Sequence, residues 1–176
     1  MDERIYRPGE KINTYEVLRH LATGSETALY VARNLDPEAE HRHPVVLKAC
    51  RFAPESLSQD EVERFNDRLE REYKLLLPLW HRNIVHVYGR EFDGGLAFCV
   101  MELLDGVTLG TWWKQERRTF HELLLVYRQL VGALRYAHRR SLPAGPFICV
   151  KSDSTGVTQA RRSLGKAVQN VRSDSA

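Results

Sequence analysis

Lys48 closes a run of apolar β-formers, Val45-Val46-Leu47. A lysine so placed has its stem inside the fold and a cation that must find an anion. Glu72 offers one. Ser58 with Glu61 three residues later is a capping box, so a helix is predicted to start there. Its apolar stripe runs Val62, Phe65, Leu69 and Leu76, and Glu72 falls in the gap on that face. An ionised carboxylate on a core-facing stripe is costly unless paired, and a strand lysine is the natural partner. In the alternative, Glu72 merely rims the helix beside Arg68 and Arg71.

The elements that position this pair follow from pattern. Residues 1–13 read as a polar lead-in. Tyr15 to Leu21 and Ala28 to Ala32 read as two strands joined by Ala22-Thr23-Gly24-Ser25-Glu26-Thr27, a hairpin with a small-residue lip. Such a lip can lay backbone N–H groups over phosphates, because small side chains let the backbone approach closely. Pro44 opens the strand that carries Lys48, and Pro78 ends the helix that carries Glu72. His81-Arg82-Asn83-Ile84-Val85 leads into a strand through Tyr88, Asp93-Gly94-Gly95 is a turn, and Leu96 to Met101 is apolar enough to be a central strand. Beyond Gly106 the chain reads as helical. Trp112 and Trp113 fall on a short helix, and a second capping box, Thr119 with Glu122, opens a longer one to about His138. The aromatic pair reads as packing rather than a ligand box. The fold class is α+β: five antiparallel strands and one helix, then helices.

The 176 residues suffice for one domain with a real core. Hydrophobic content of 43% with 28% charged is ordinary globular composition, and a net charge of +3 is too mild to argue for nucleic acid. Cys50, Cys99 and Cys149 are odd in number and widely spaced, which reads as reduced thiols in a cytoplasmic protein. No apolar run is long enough for a membrane span, the charged start is no signal peptide, and no metal-ligand cluster is visible.

In this order the pieces resemble the amino-terminal lobe of a eukaryotic-type protein kinase, in the manner of the bacterial serine/threonine kinases. The family's Gly-x-Gly-x-x-Gly-x-Val loop maps onto Ala22, Gly24, Thr27 and Leu29, and its Val-Ala-Ile-Lys strand onto Val45 to Lys48. The αC-helix glutamate maps onto Glu72. His81-Arg82-Asn83-Ile84-Val85 is similar to His-Pro-Asn-Ile-Val. Val100 to Gly106 is similar to the last strand and hinge, with Met101 as gatekeeper. The resemblance implies a small lobe over residues 12–105 and the first helices of a large lobe over 106–142, similar to αD and αE. It implies that Lys48 contacts the ATP phosphates and is oriented by Glu72. It further implies that Leu21, Leu29 and Val46 enclose the adenine and that backbone from Glu102 to Leu104 binds its edge. Mg2+ accompanies ATP in the intact family.

The departures matter equally. Of the loop glycines only Gly24 survives, since Ala22 and Thr27 replace the others, and Val46 adds two methyl groups where the family has alanine. Both changes weaken the expected nucleotide binding. After Tyr136-Ala137-His138 the family's His-Arg-Asp-Leu-Lys-Pro-x-Asn is due, but the chain reads Arg139-Arg140-Ser141-Leu142-Pro143, and neither Asp-Phe-Gly nor Ala-Pro-Glu follows. Asp153 and Asp174 lie in motif-free surroundings and are assigned no role. Residues 143–176 read as an unpatterned, disordered tail, with a faint amphipathic stripe at Leu164, Val168 and Val171 and a basic Arg161-Arg162-Ser163. Three readings follow: a kinase truncated before its catalytic loop and inactive as an isolated chain, a pseudokinase-like module binding nucleotide or partner, and an α+β interaction domain without ligand. Retention of Lys48 and Glu72 disfavours the third, and the unpatterned tail favours the first.

The abrupt end of the pattern predicts that residues from about 142 onward are not the native continuation of the kinase frame. Translating the other two frames of the coding DNA from codon 138 should then reveal His-Arg-Asp followed by Asp-Phe-Gly. If neither frame contains them, the frame explanation is wrong.

Overall fold

The computed structural model describes residues 2–39, 43–107, 109–115 and 118–140. The proposed tail, its stripe, its basic cluster and Cys149 all lie outside the described residues. Six strands, β1 (Lys11–Ile12), β2 (Tyr15–Thr23), β3 (Thr27–Asn34), β4 (Val45–Cys50), β5 (Val87–Asp93) and β6 (Leu96–Glu102), are joined by α1 (Gln59–Leu76) and followed by α2 (Leu109–Gln115) and α3 (Phe120–His138). The chain divides into two compact units, Met1–Leu77 with Val87–Leu103, and Pro78–His86 with the chain from Leu104 onward.

The first unit is one antiparallel sheet in the order β1-β2-β3-β4-β6-β5. Alternation sorts its side chains. Ala28, Tyr30 and Ala32 of β3, Val45, Leu47 and Ala49 of β4, and Phe98 and Val100 of β6 point to one face, and join Tyr6, Ile12, Tyr15 and Val17 in a single buried cluster. Val46 and Lys48 point to the other face, where α1 packs against β6 and β5. Strands β4 and β6 are therefore covered on both sides, which is why they read as continuous apolar runs.

The expected sheet had five strands; the structure has six. Lys11–Ile12 pairs with Tyr15 and Glu16 across a tight turn, in which Asn13 takes a left-handed conformation at φ 51°. Nor is the lead-in only polar, since Tyr6 is 7% exposed and sits edge-on to Tyr30, ring centroids 5.6 Å apart. The two ends of the sheet then meet through side chains. The Tyr15 hydroxyl donates to Glu91 at 2.8 Å, the Asn13 amide group donates to Glu91 at 3.0 Å, and the Asn13 backbone N–H donates to Asp93 at 3.2 Å. Burial, with the Asp93 carboxylate nearby, pushes the Tyr6 hydroxyl up to about 12.

Helix α1 starts as its sequence dictates: Ser58 accepts from the Glu61 N–H, and Glu61 reaches back to the Ser58 N–H at 2.8 Å. Its buried residues are Phe65, Leu69 and Leu76. Asn66 clamps the β5–β6 hairpin, accepting from the Ala97 N–H at 2.8 Å and donating to the Gly95 carbonyl at 2.9 Å. That hairpin turns on Gly94 and Gly95, both at positive φ, 54° and 83°. Strand β5 begins at Val87, later than the β-rich 84–85 pair suggests, because Ile84 and Val85 are buried in the segment Pro78–His86, which belongs to the second unit.

In the second unit Trp112 and Val126 form a small core with Val107, Leu109 and Leu130 packed on it. Trp112 is fully buried and Trp113 is half exposed, in line with packing. Asn83, buried, donates to Gln129 on α3 at 3.0 Å, and His81 lies against Tyr136 at 5.0 Å. Burial lowers the His81 pKa, consistent with a neutral ring that accepts from the Asn83 N–H at 3.1 Å. Helix α3 carries the second capping box and buries Val126, Ala133 and Ala137, yet Phe120, Leu124, Tyr127, Val131 and Leu134 stay exposed along it.

Two outcomes follow. Ser58→Ala should lower stability to urea by about 1 kcal/mol, the usual worth of an N-cap; an unchanged midpoint would show the cap to be idle. The 176-residue chain should also bind a hydrophobic dye through the exposed α3 stripe, and Leu124→Gln with Val131→Gln should reduce that binding. A soluble monomer that melts sharply and takes up no dye would contradict it.

Candidate functional site

Strand register builds the site one row at a time. Directly paired residues of an antiparallel ladder share a face, and one such row runs Ala22, Leu29, Lys48, Cys99 from β2 to β6. The next row holds Val31, Val46, Met101 and Val87. Lys48 thus stands among apolar neighbours on the face that receives α1. Its ammonium meets the Glu72 carboxylate at 2.5 Å, with side chains 15% and 11% exposed. The pair that strand and helix pattern predict is present. The arginines beside Glu72 on the helix are engaged elsewhere, Arg68 with Glu26 and Arg71 with the Asp67 carbonyl at 3.2 Å.

The pair is largely shielded from solvent. The Cys99 thiol is pushed up to about 12, first by burial and then by the Glu72 charge, with Lys48 pulling the other way. Cys99 and Cys50 are both buried free thiols, and Cys50 is likewise raised by burial. Neither is a nucleophile in that setting.

The other predicted residues are placed as follows. The β2–β3 ladder slips twice, so that Leu21 and Ala22 together oppose the single Leu29. That bulge re-aims the strand just ahead of the lip. Leu21, Ala22 and Leu29 are half-buried and Gly24 is exposed, whereas Val46 is fully covered and Met101 is 5% exposed. Glu102, half-buried, ends β6. Leu104 is buried and belongs to the second unit.

The lip is more constrained than its composition suggests. The Gly24 N–H donates to the Thr27 carbonyl at 2.7 Å and closes the turn. The Arg51 guanidinium donates to the Gly24 carbonyl at 2.7 Å, and the Arg51 N–H donates to the Glu26 carbonyl at 3.1 Å. The contacts of Arg51 and Arg68 with the lip were missed by sequence reasoning, because no local pattern marks an arginine that reaches a distant turn. Among the described residues no group of three or more His, Cys, Asp or Glu side chains is arranged to hold a metal ion, and no helix is long and apolar enough to cross a membrane.

A partly buried lysine–carboxylate pair on one sheet face, beside a capped helix and a hairpin lip, defines a protein-kinase small lobe, and known proteins agree. No family model matches the chain. Its curated relatives are serine/threonine kinases. PknL of Mycobacterium bovis is 33% identical over 132 residues, covering 73% of this chain and 30% of the relative. PrkC of Bacillus subtilis is 28% identical over 137 residues, covering 76% and 20%. The probable kinase zyg-1 of Caenorhabditis briggsae is 26% identical over 167 residues, 92% of this chain and 21% of the relative, so that alignment runs on past residue 142. Among solved structures, the PknI kinase domain of Mycobacterium tuberculosis superposes at a TM-score of 0.59 with 24% identity, over 86% of this chain and 60% of that one. The apo form of PpkA-294 gives 0.62 with 18% identity, over 79% and 53%. These structures establish the fold. The chain belongs to the protein kinase family, over the amino-terminal part of the kinase domain. It spans less than a third of the length of these curated relatives.

Glu72→Ala should lower stability by roughly 1–3 kcal/mol, since it leaves the Lys48 charge unpaired in a largely shielded site. Adding Lys48→Met should recover much of that loss in urea unfolding. A double variant no more stable than the single one would show that the two charges are not coupled.

Proposed function

We propose that the first unit is the nucleotide-holding lobe of a serine/threonine protein kinase, which in the whole protein transfers the γ-phosphoryl of ATP to a protein hydroxyl. The observation that carries this reading is the Lys48–Glu72 pair: a carboxylate fixes an ammonium on an apolar wall, ready for phosphate oxygens. Leu21, Leu29 and Val46 supply the adenine wall with Met101 as gatekeeper, the lip at Ala22 and Gly24 is the phosphate side, and backbone from Glu102 to Leu104 takes the adenine edge. The two free, buried thiols suit a cytoplasmic setting.

The fit is imperfect on the adenine side. Val46 has no exposed surface, so adenine reaches it only if its neighbours move, and by resemblance its two extra methyl groups take up room that the family leaves. On the metal side, the sequence holds no His-Arg-Asp motif, no Asp-Phe-Gly and no catalytic-loop asparagine. No step through Mg2+ is therefore assigned, and we propose that these 176 residues by themselves transfer no phosphoryl group. The intact pair beside those missing motifs also supports a second reading, a pseudokinase-like module that binds nucleotide or a regulatory partner.

In a thermal-shift titration, ATP with magnesium should stabilise the chain only at millimolar concentration, and Val46→Ala should strengthen the response. Micromolar affinity abolished by Lys48→Ala would contradict the weak-binding proposal and favour the regulatory reading.

A further inference from the structure

The lip holds an acidic residue where phosphates would come. Glu26 sits at its tip, and a carboxylate close to a triphosphate repels it. The turn's backbone is already fixed by the Gly24–Thr27 closure and by both Arg51 contacts, so the direction of the Glu26 side chain is the remaining freedom. That side chain is ion-paired with Arg68, which lies on α1 one helical turn before Glu72. Both partners are about half exposed, 45% for Arg68 and 47% for Glu26.

We propose that Arg68 is a positioning residue for nucleotide binding: by pairing with Glu26 it neutralises the one acidic side chain of the lip and draws it toward α1, which leaves the ammonium of Lys48 unopposed for the phosphates. The inference rests on the reading of this lobe as a nucleotide site, and deepens it. The same ion pair joins the lip to the helix that bears Glu72, the partner of Lys48. An exposed pair is screened by salt, so the effect is largest at low ionic strength.

The test is an NMR titration of the 176-residue chain with millimolar ATP plus magnesium and, separately, with adenosine. It compares the wild type with Arg68→Gln, Arg68→Lys, Glu26→Gln and the double variant Glu26→Gln/Arg68→Gln. Arg68→Gln should weaken ATP roughly two- to five-fold, the range of an exposed ion pair, and leave adenosine unchanged. Arg68→Lys should bind ATP as the wild type does, and the double variant should regain wild-type affinity, because the repelling charge is gone. Equal loss for ATP and adenosine, or a double variant as weak as Arg68→Gln, would overturn the inference. A wild type that binds both ligands while Arg68→Gln is indifferent would overturn this inference alone. A wild type that binds neither would overturn the nucleotide reading, and this one with it.

Discussion

The structure depends on one electrostatic constraint: two opposite charges, one on a strand and one on a helix, that meet largely shielded from water over one face of a sheet. Either charge there without the other would be costly, because a partly desolvated ion loses hydration that its partner otherwise offsets. Each element around them is fitted to that requirement. Strand β4 is covered on both faces, so a lysine at its centre must find an anion within reach. Helix α1 is fixed at its start by the Ser58–Glu61 box and held over the β5–β6 hairpin by Asn66, which brings Glu72 above Lys48. Cys99, directly paired with Lys48 in the same row, is itself buried, and that burial raises its thiol.

Much of this was legible beforehand, and for identifiable reasons. Two capping boxes, a helical stripe with a charge in its gap and a lysine ending an apolar run are local signals, and local signals survive folding. What escaped was non-local. The strand Lys11–Ile12 is too short to show a period, and Tyr6 is a lone aromatic in charged surroundings. Ile12 and Tyr6 are buried where the sheet curls until Asn13 and Tyr15 reach Glu91 and Asp93. Ile84 and Val85 have the β-propensity of a strand but are spent on burial outside it, a tertiary demand that overrides local preference.

The lip shows the same limit from the side of function. Its composition suggested a flexible cradle, and the single glycine suggested a stiffened one. The sequence could not show that two arginines from other elements hold the turn, because exposed arginines carry no periodic mark. A site of this kind is read in two parts. The charges that must be buried are visible in the pattern, and those that stay at the surface and act over a few ångströms become visible only once the chain is folded.

The central claim is that the Lys48 ammonium, held by Glu72, is the phosphate contact of a nucleotide site. The most direct test follows the Lys48 side-chain Nζ resonance by NMR in lysine-labelled protein. Addition of millimolar ATP with magnesium should shift that signal, adenosine should leave it in place, and Glu72→Gln should broaden or abolish it through faster exchange with water. A Lys48 signal that is unmoved by ATP while backbone amides elsewhere respond would place the nucleotide at another site and contradict the account.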